Sequence, residues 1–313
     1  MTEQLRIERL TVSFSLDDST VEAVNSAGLT IPRKACCGLI GETGCGKSVL
    51  GQAILGLLPR NATVRGHIYF EGQDLAHLPS RQFRSLRGRE IALIAQNPAE
   101  ALDPLMTNGK QILESITLNT RKHGSDAKET AKALLRSLRF ADPEDCMNAY
   151  PHELSGGMKQ RVLAAMGMSG TPKLLIADEP TKGLDPLARG QVVGTLRTFI
   201  RATGAASLII THDLELARNI CDYTAVMYAG EIVETGEARE VFFAPKHPYT
   251  QALIASEPKN GLHPIPGDSI NLSNLPIGCP FFLRCAKAVE CSRGETERPD
   301  LSGGTHQARC FLS

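Results

Sequence analysis

The feature that most constrains this chain is a glycine-rich octapeptide, Gly41-Glu42-Thr43-Gly44-Cys45-Gly46-Lys47-Ser48. Two of its glycines are separated by four residues and followed by Lys and Ser, the pattern of a phosphate-binding loop. A short apolar run, residues 36–40, precedes the loop, and apolar residues at near-helical spacing follow it as far as residue 58. The sequence therefore predicts a strand, a phosphate loop and a helix in succession.

Each part of this loop has a chemical role in holding a nucleotide. Glycines let the backbone amides of residues 41–46 close around phosphate oxygens, and the N-terminus of the following helix adds partial positive charge. Lys47 supplies a point charge, and the Ser48 hydroxyl is a ligand for Mg²⁺. The loop thus predicts that the chain binds the phosphates of a nucleotide.

Length and charge limit the other possibilities. With 313 residues, the chain is long enough for one large domain and an appendage. Lys plus Arg equals Asp plus Glu at 34 each, so no overall basic field favours nucleic acid as a partner. No apolar run approaches the ~18 residues that a membrane span needs, and the N-terminus lacks the apolar core of a signal peptide. We expect a cytoplasmic protein that meets the membrane only through a partner.

The first hundred residues are rich in strand patterns. Residues 5–14 and 21–31 predict a β-hairpin that turns at Asp17-Asp18-Ser19. Glycine-bounded residues 66–72 predict a further strand, and residues 91–95 predict another.

The middle of the chain predicts helices and then a parallel sheet. Residues 99–170 read as a helical insertion, with one helix opened by Asp126 and Glu129 as a capping box. Contiguous apolar runs at 174–177 and 207–210 predict buried strands separated by a helix from Pro186 to Thr203. The fold class is α/β, with a nucleotide-binding domain over 1–245, its helical subdomain near 99–170, and a proline-rich extension over 246–313.

Two adjacent carboxylates, Asp178 and Glu179, end the first of these buried strands. The carboxyl edge of an open α/β sheet is where ligands bind. Asp178 can hold Mg²⁺, and Glu179 is then available to polarise an attacking water. A solvated turn is the structural alternative for such a pair, but together with the phosphate loop it predicts hydrolysis of a nucleotide.

The stretch Leu154-Ser155-Gly156-Gly157-Met158-Lys159-Gln160-Arg161 distinguishes the chain from other phosphate-loop proteins. Ser155 is suited to cap a helix that runs to about Met168, and the two glycines let a phosphate approach its amides. Its structural alternative is a well-capped helix alone. The octet resembles the signature sequence of ATP-binding cassette (ABC) ATPases, and it lies between the two phosphate-site motifs as in that family. The resemblance covers roughly residues 1–245 and implies that ATP and Mg²⁺ are bound.

The resemblance assigns roles to further residues. It makes Gln96 the glutamine that contacts metal and water, and His212 the switch histidine that orients the γ-phosphate. Asp185 matches the loop that contacts a second subunit, although the neighbouring Lys182-Gly183 pair departs from the pattern usual in importers. Phe14, on the first hairpin, is the candidate for stacking on adenine, with a place in the core as its alternative.

In ABC proteins the signature of one subunit covers ATP held by another. The resemblance therefore implies a second ABC ATPase subunit, which we expect to be a different chain and hence to give a heterodimer. It also implies two transmembrane permease subunits, an extracytoplasmic substrate-binding protein, and a peripheral position on the cytoplasmic face of the membrane.

The tail narrows the family. Residues 244–253 and Pro264-Ile265-Pro266-Gly267 resemble the C-terminal extension of oligopeptide, dipeptide and nickel importer ATPases. Four cysteines crowd the last 35 residues: Cys279, Cys285, Cys291 and Cys310. Their spacing is similar to the set that holds an iron–sulfur cluster in some members, and four thiolates suit [4Fe-4S] or Zn²⁺. The alternative is a group of reduced cysteines that pack a small module.

These observations predict the ATPase subunit of an ABC importer for peptides or nickel-type chelates. Two alternatives remain from the sequence: a soluble ABC ATPase that acts on nucleic acid, and a transport ATPase whose tail senses metal.

Overall fold

The computed structural model describes residues 2–16, 19–261, 263–291 and 294–312. The chain forms two compact units, one comprising residues 1–78 and 210–313 and the other comprising residues 79–209. Residues 246–313 thus lie in the first unit, and the division at residue 245 stays a prediction. In the part of the chain described, no helix has the length and apolar character needed to cross a membrane.

The strands are, in chain order, β1 (Glu3–Ser15), β2 (Thr20–Pro32), β3 (Cys36–Ile40), β4 (Ala62–Phe70), β5 (Gln73–Asp74), β6 (Ile91–Ile94), β7 (Leu174–Asp178), β8 (Ala206–Thr211), β9 (Tyr223–Tyr228), β10 (Glu231–Glu237) and β11 (Gln307–Ala308). The helices are α1 (Lys47–Ile54), α2 (Ser80–Leu86), α3 (Pro98–Ala101), α4 (Asn108–Thr120), α5 (Gly124–Ser137), α6 (Pro143–Asn148), α7 (Gly156–Gly167), α8 (Pro186–Thr203), α9 (Leu214–Ile220), α10 (Ala238–Phe243) and α11 (Pro248–Ala255). Single 3₁₀ turns occur at Pro151–Glu153, Pro258–Asn260, Phe282–Arg284 and Ala288–Glu290.

The first unit contains an antiparallel sheet in the order β2-β1-β4-β5. Its β1–β2 pairing confirms the predicted hairpin, with Phe14 opposite Val21 on β2 and Ala62 on β4. Leu5, Ile7, Leu10 and Val12 of β1 are buried, as its apolar pattern indicated. The turn predicted at Asp17 and Asp18 lies outside the described residues.

In the same unit, β3 pairs in parallel with β9, and β9 pairs in antiparallel with β10. Every residue of β3 is buried, which explains its unbroken apolar run. The short strand β11, near the end of the tail, adds to the edge at β10, where Gln307 pairs with Thr235. The tail therefore contributes a strand to the sheet in which β3 lies.

The second unit contains β6 and β7 in parallel pairing and a set of helices between them in sequence. Helix α8 has the predicted bounds, because Asp185 caps its start and Gly204, with φ 65°, ends it. Helix α7 begins after Ser155, as predicted. The strand β8 runs across the boundary between the two units.

One predicted helix start is wrong. Helix α5 begins at Gly124, and its N-cap residue His123 makes no side-chain capping bond. Asp126 therefore lies within the first turn, where its carboxylate favours the helix dipole but does not cap. The mistake arose because a capping pattern also fits acidic residues inside a first turn. Helix α1 is also shorter than predicted, since it ends at Ile54.

Candidate nucleotide-binding site

The phosphate loop connects the carboxyl end of β3 to the start of α1. Gly41, Gly44 and Gly46 have φ values of 152°, 84° and 104°, a region that other residues rarely adopt. Gly46 is the residue immediately before α1 and offers no side chain to cap it. The first amides of α1 are thus left facing the loop, which is the arrangement that binds phosphate.

Two of these glycines also lie against backbone from neighbouring segments. A Cβ on Gly46 would overlap the carbonyl oxygen of Ala23, and one on Gly41 would overlap that of Met227. A Cβ on Gly44 would meet nothing within 4 Å. The loop is therefore closely packed at its two ends and open in the middle, where Thr43 and Gly44 are exposed.

Lys47 lies inside the loop. Its side chain is buried, and Nζ donates to the carbonyl oxygens of Gly41 at 2.8 Å and Glu42 at 2.7 Å. These two carbonyls hold the ammonium group within the curve of the loop, where a point charge serves a phosphate. Ser48 follows at the first turn of α1 and is half-buried.

Cys45 has its side chain turned inward. The residue is only 6% exposed, and burial raises the pKa of its thiol even though Lys47 donates to Sγ at 3.7 Å. The thiol of Cys45 is therefore shielded from solvent within the loop.

Glu42 of the loop is contacted by two residues from far along the chain. Its carboxylate accepts two hydrogen bonds from the guanidinium of Arg284, at 2.9 and 3.0 Å. Its backbone N–H donates to the hydroxyl of Tyr249 at 2.8 Å. Arg284 and Tyr249 were not predicted to lie near the site, because they are more than 200 positions from Glu42 and no local pattern pairs them with it.

In the second unit, Asp178 is the last residue of β7 and Glu179 follows it. Both carboxylates are buried, with 9% and 6% of each residue exposed. Glu179 has a φ of 47°, a strained conformation for a residue with a side chain, and strain of this kind is found at functional positions. Its carbonyl accepts the N–H of Lys182 in the turn that follows.

The signature stretch forms the start of α7. The Ser155 hydroxyl accepts the N–H of Met158 at 3.3 Å, which confirms the predicted cap. Ser155 and Gly156 are exposed and Gly157 is half-buried, so the surface of this helix end is open. Gln160, one turn later, is buried and donates to the carbonyl of Ala95, next to the half-buried Gln96.

The remaining predicted residues have the following positions. Asp185 is exposed, and its carboxylate accepts the N–H groups of Leu187 and Ala188 at 3.0 Å, so it caps α8. His212 directly follows β8 and is exposed. Phe14, on β1, is half-buried. Of the predicted set, the loop residues, Phe14 and His212 belong to the first unit, while Gln96, Ser155 to Gly157, Asp178, Glu179 and Asp185 belong to the second.

The four tail cysteines line one small cavity, together with Phe281 and His247. Burial raises the pKa of the Cys279 thiol to about 11 and also raises the pKa values of Cys285 and Cys310. No disulfide involves any of the nine cysteines, all of which lie in the described ranges. Among the residues that the structure describes, no three of the tail sulfurs lie within 4.8 Å of one another.

Comparison with known proteins relates the chain to families of known description. The model of the family described as "ABC transporter" matches residues 24–182, and the one described as "Oligopeptide/dipeptide transporter, C-terminal region" matches residues 233–291. The oligopeptide transport ATP-binding protein OppD of Salmonella typhimurium is 38% identical over 98% of this chain and 93% of its own. The dipeptide transport ATP-binding protein DppD of Bacillus subtilis is 37% identical over 100% and 95%.

Solved structures show the same fold. The ATP-binding cassette MJ0796, in a post-hydrolysis state bound to ADP and Pi, superposes with a TM-score of 0.69 at 23% identity, covering 75% of this chain and 99% of that one. A structure described as the ATP-binding subunit of an ABC transporter has a TM-score of 0.64 at 26% identity, covering 81% and 98%. These likenesses confirm the predicted α/β fold of the ABC type.

Proposed function

The chain belongs to the ABC transporter family of ATPases, and from that premise we propose that it powers the uptake of peptides across the cytoplasmic membrane. The observation that carries this proposal is the similarity to peptide-transport ATP-binding proteins along the whole chain, tail included. Nickel, which the sequence analysis kept as a second cargo, gains no support from these relatives. We therefore propose peptides alone.

The residues fit ATP and Mg²⁺. The glycine-rich loop leads directly into the N-terminus of α1. Lys47 Nζ donates to two carbonyl oxygens of the loop, as it would to phosphate oxygens. Ser48, Gln96 and Asp178 are the oxygen donors that we assign to Mg²⁺, which prefers such ligands. When bound, Mg²⁺ supplies positive charge to the terminal phosphates.

We assign the remaining chemistry to Glu179 and His212. Glu179 accepts a proton from the attacking water as general base, and its burial keeps competing solvent away. His212 orients the water and the γ-phosphate. Phe14 stacks on the adenine, which its half-buried position on β1 allows.

The site needs a second subunit for completion. The exposed Ser155 and Gly156 offer backbone amides and a hydroxyl at a helix start, which suit a phosphate held by another chain. Asp185, although it caps α8, is exposed and able to face the same partner. We propose a heterodimer with a related ATPase, bound at the inner face of the membrane to two permease subunits that receive peptides from an extracytoplasmic binding protein.

The experiment that tests this function compares uptake with hydrolysis. In proteoliposomes that contain the two permeases and the partner ATPase, with the binding protein added outside, wild-type protein should import a labelled oligopeptide when ATP is enclosed. Glu179→Gln keeps the shape of the side chain but removes the base, so it should bind ATP normally while hydrolysis falls by about 10²- to 10⁴-fold. Glu129→Gln, exposed on α5, is the matched control. Normal peptide uptake by Glu179→Gln, or ATP-dependent uptake of nickel but not peptide, would contradict the proposal.

We also propose that the tail cysteines hold a [4Fe-4S] cluster. Four thiols that surround one cavity support it. The tail has no closely spaced C-x-x-C pair, the pattern typical of structural Zn²⁺ sites, and this favours the cluster over Zn²⁺. Cysteines that are merely packed and reduced remain the competing interpretation.

Metal analysis of anaerobically purified protein tests the cluster. We expect about four iron and four sulfide per chain, and loss of both in Cys285→Ser. Cys146→Ser, which changes a buried cysteine of the second unit, should retain them. Protein that contains neither iron nor zinc would contradict the cluster and support the interpretation that the cysteines are packed and reduced.

A further inference from the structure

The tail makes a charged contact with the phosphate loop that the proposed function does not use. The Arg284 guanidinium and the Glu42 carboxylate form a two-pronged ion pair, with N–O distances of 2.9 and 3.0 Å. Only 8% of the arginine side chain and 21% of the glutamate side chain are exposed. A forked pair shielded from water has a defined geometry, whereas an exposed pair does not.

Further hydrogen bonds fix the arginine. Its Nε donates to the carbonyl of Pro266 at 2.9 Å, and Nη1 also donates to the hydroxyl of Tyr228 at 3.3 Å. Arg284 therefore has three hydrogen-bonding partners, which are Pro266 in the tail, Tyr228 on β9 and Glu42 in the loop.

A second contact reaches the backbone of the same loop residue. The hydroxyl of Tyr249, a fully buried residue at the start of α11, accepts the N–H of Glu42 at 2.8 Å. Its ring packs on Tyr228 and Phe281, with centroid distances of 4.6 and 5.4 Å. Tyr249 is thus held by aromatic packing while its polar end meets the loop.

Glu42 connects these contacts to the lysine of the site. Its N–H donates to the Tyr249 hydroxyl, and its carboxylate accepts from the Arg284 guanidinium. Its carbonyl oxygen accepts from Lys47 Nζ at 2.7 Å. Because the loop is otherwise rich in glycine, it has few side chains of its own to fix its path. A displacement of Glu42 would carry the carbonyl that positions the ammonium of Lys47.

We propose that Arg284 and Tyr249 are positioning residues that hold the phosphate loop, through Glu42, in the conformation that binds nucleotide. The inference rests on the proposed function, since it assumes that residues 41–48 bind ATP. It adds a role for the tail in the ATP site. Arg284 directly precedes Cys285, so a shift of the cysteine-bearing segment displaces the guanidinium that faces Glu42.

The test is a double-mutant cycle read by nucleotide affinity. Arg284→Gln, Glu42→Gln and the double variant are titrated with a fluorescent, non-hydrolysable ATP analogue. Each single variant should weaken binding about tenfold, the effect of losing one charged hydrogen-bond pair. The double variant should bind no more weakly than the singles, because both remove the same interaction. Arg284→Lys, which keeps the charge but not the fork, should recover part of the affinity.

Arg218 and Glu257 provide the matched control. They form a similar two-pronged pair in the same unit, at 2.7 and 3.3 Å and with 18% and 12% of the side chains exposed. Arg218 pairs with Glu257 and lies over the ring of Phe242, and neither of these partners belongs to residues 41–48. Arg218→Gln should lower the melting temperature as Arg284→Gln does, yet leave the affinity for the analogue unchanged.

These titrations distinguish failure of the positioning role from failure of the ATP site itself. If folded Arg284→Gln binds the analogue like wild type, or if Arg218→Gln weakens binding equally, the positioning role is refuted while the ATP site stands. If wild-type protein itself fails to bind the analogue, the proposed function fails and takes this inference with it. Should Arg284→Gln not fold, Tyr249→Phe removes only the hydroxyl that accepts the Glu42 N–H, and unchanged affinity in that variant would refute the role of Tyr249 and with it the proposal.

Discussion

Alanine substitutions at two glycines of the phosphate loop should have very different costs. Gly44 and Gly46 are two residues apart and have similar left-handed backbones, with φ of 84° and 104°. They differ in their surroundings, since a Cβ on Gly44 meets nothing within 4 Å. A Cβ on Gly46 would overlap the Ala23 carbonyl oxygen and lie 2.9 Å from the Met227 methyl carbon.

The structure sets the size of each effect. Gly44→Ala adds only the strain of a left-handed alanine, about 1–2 kcal/mol, which lowers the melting temperature by roughly 2–8 °C in a unit of this size. Gly46→Ala adds to that strain an overlap with backbone that cannot rotate away, and overpacking costs about 1–3 kcal/mol more. We expect its total loss to be about 2–5 kcal/mol.

Thermal unfolding followed by circular dichroism, in protein free of nucleotide, measures this difference. Nucleotide must be absent because a methyl group on Gly44 projects into the open middle of the loop, where phosphate would lie. Equal melting temperatures for Gly44→Ala and Gly46→Ala would refute the close packing of the loop against Ala23. A loss at Gly44 larger than at Gly46 would refute it as well.

Three other outcomes follow from the geometry. Lys47→Ala removes a charged donor from the loop and should weaken ATP binding about 10- to 100-fold in a titration; unchanged affinity would exclude Lys47 from the site. Because its thiol is buried, Cys45 should react with iodoacetamide about tenfold faster after denaturation than before, and mass spectrometry of its peptide measures this. Rapid labelling of the native protein would instead place the thiol at the surface. Burial alone would raise the Glu257 pKa, but hydrogen bonds from Arg218 outweigh it and hold that pKa below its usual 4.5. The Arg218–Glu257 pair therefore stabilises the fold above pH 4.5, and this stabilisation is lost as pH falls through the lowered pKa. Chemical unfolding from pH 6 to 3 should show less acid destabilisation in Glu257→Gln, and equal slopes would contradict this assignment.

Local features of the sequence determined much of the fold. The loop pattern, the cap at Ser155 and the bounds of α8 could be predicted because each depends on residues within a few positions of one another. Apolar periodicity identified the hairpin and the buried strands for the same reason. The start of α5 was mistaken because acidic residues fit a cap and a first turn equally well.

Motif order likewise identified the family, since the loop, the signature and the Asp178-Glu179 pair each carry a recognisable residue pattern. What sequence could not give is the direction in which a side chain points. Cys45 lies within the loop pattern, and nothing in that pattern indicates that its side chain is buried, as it is in the structure. Only the surroundings of a residue decide that.

The contact at Glu42 shows most clearly what tertiary structure alone decided. Glu42 and Arg284 are 242 positions apart, and each by itself is an ordinary charged residue in the sequence. Their pairing exists because β3 and the tail fold into one unit, which brings the segment before Cys285 against the phosphate loop. The sequence by itself determined that this chain binds a nucleotide and carries a cysteine-rich tail. The fold placed that tail on the loop, because a contact across so many residues depends on the path of the whole chain between them.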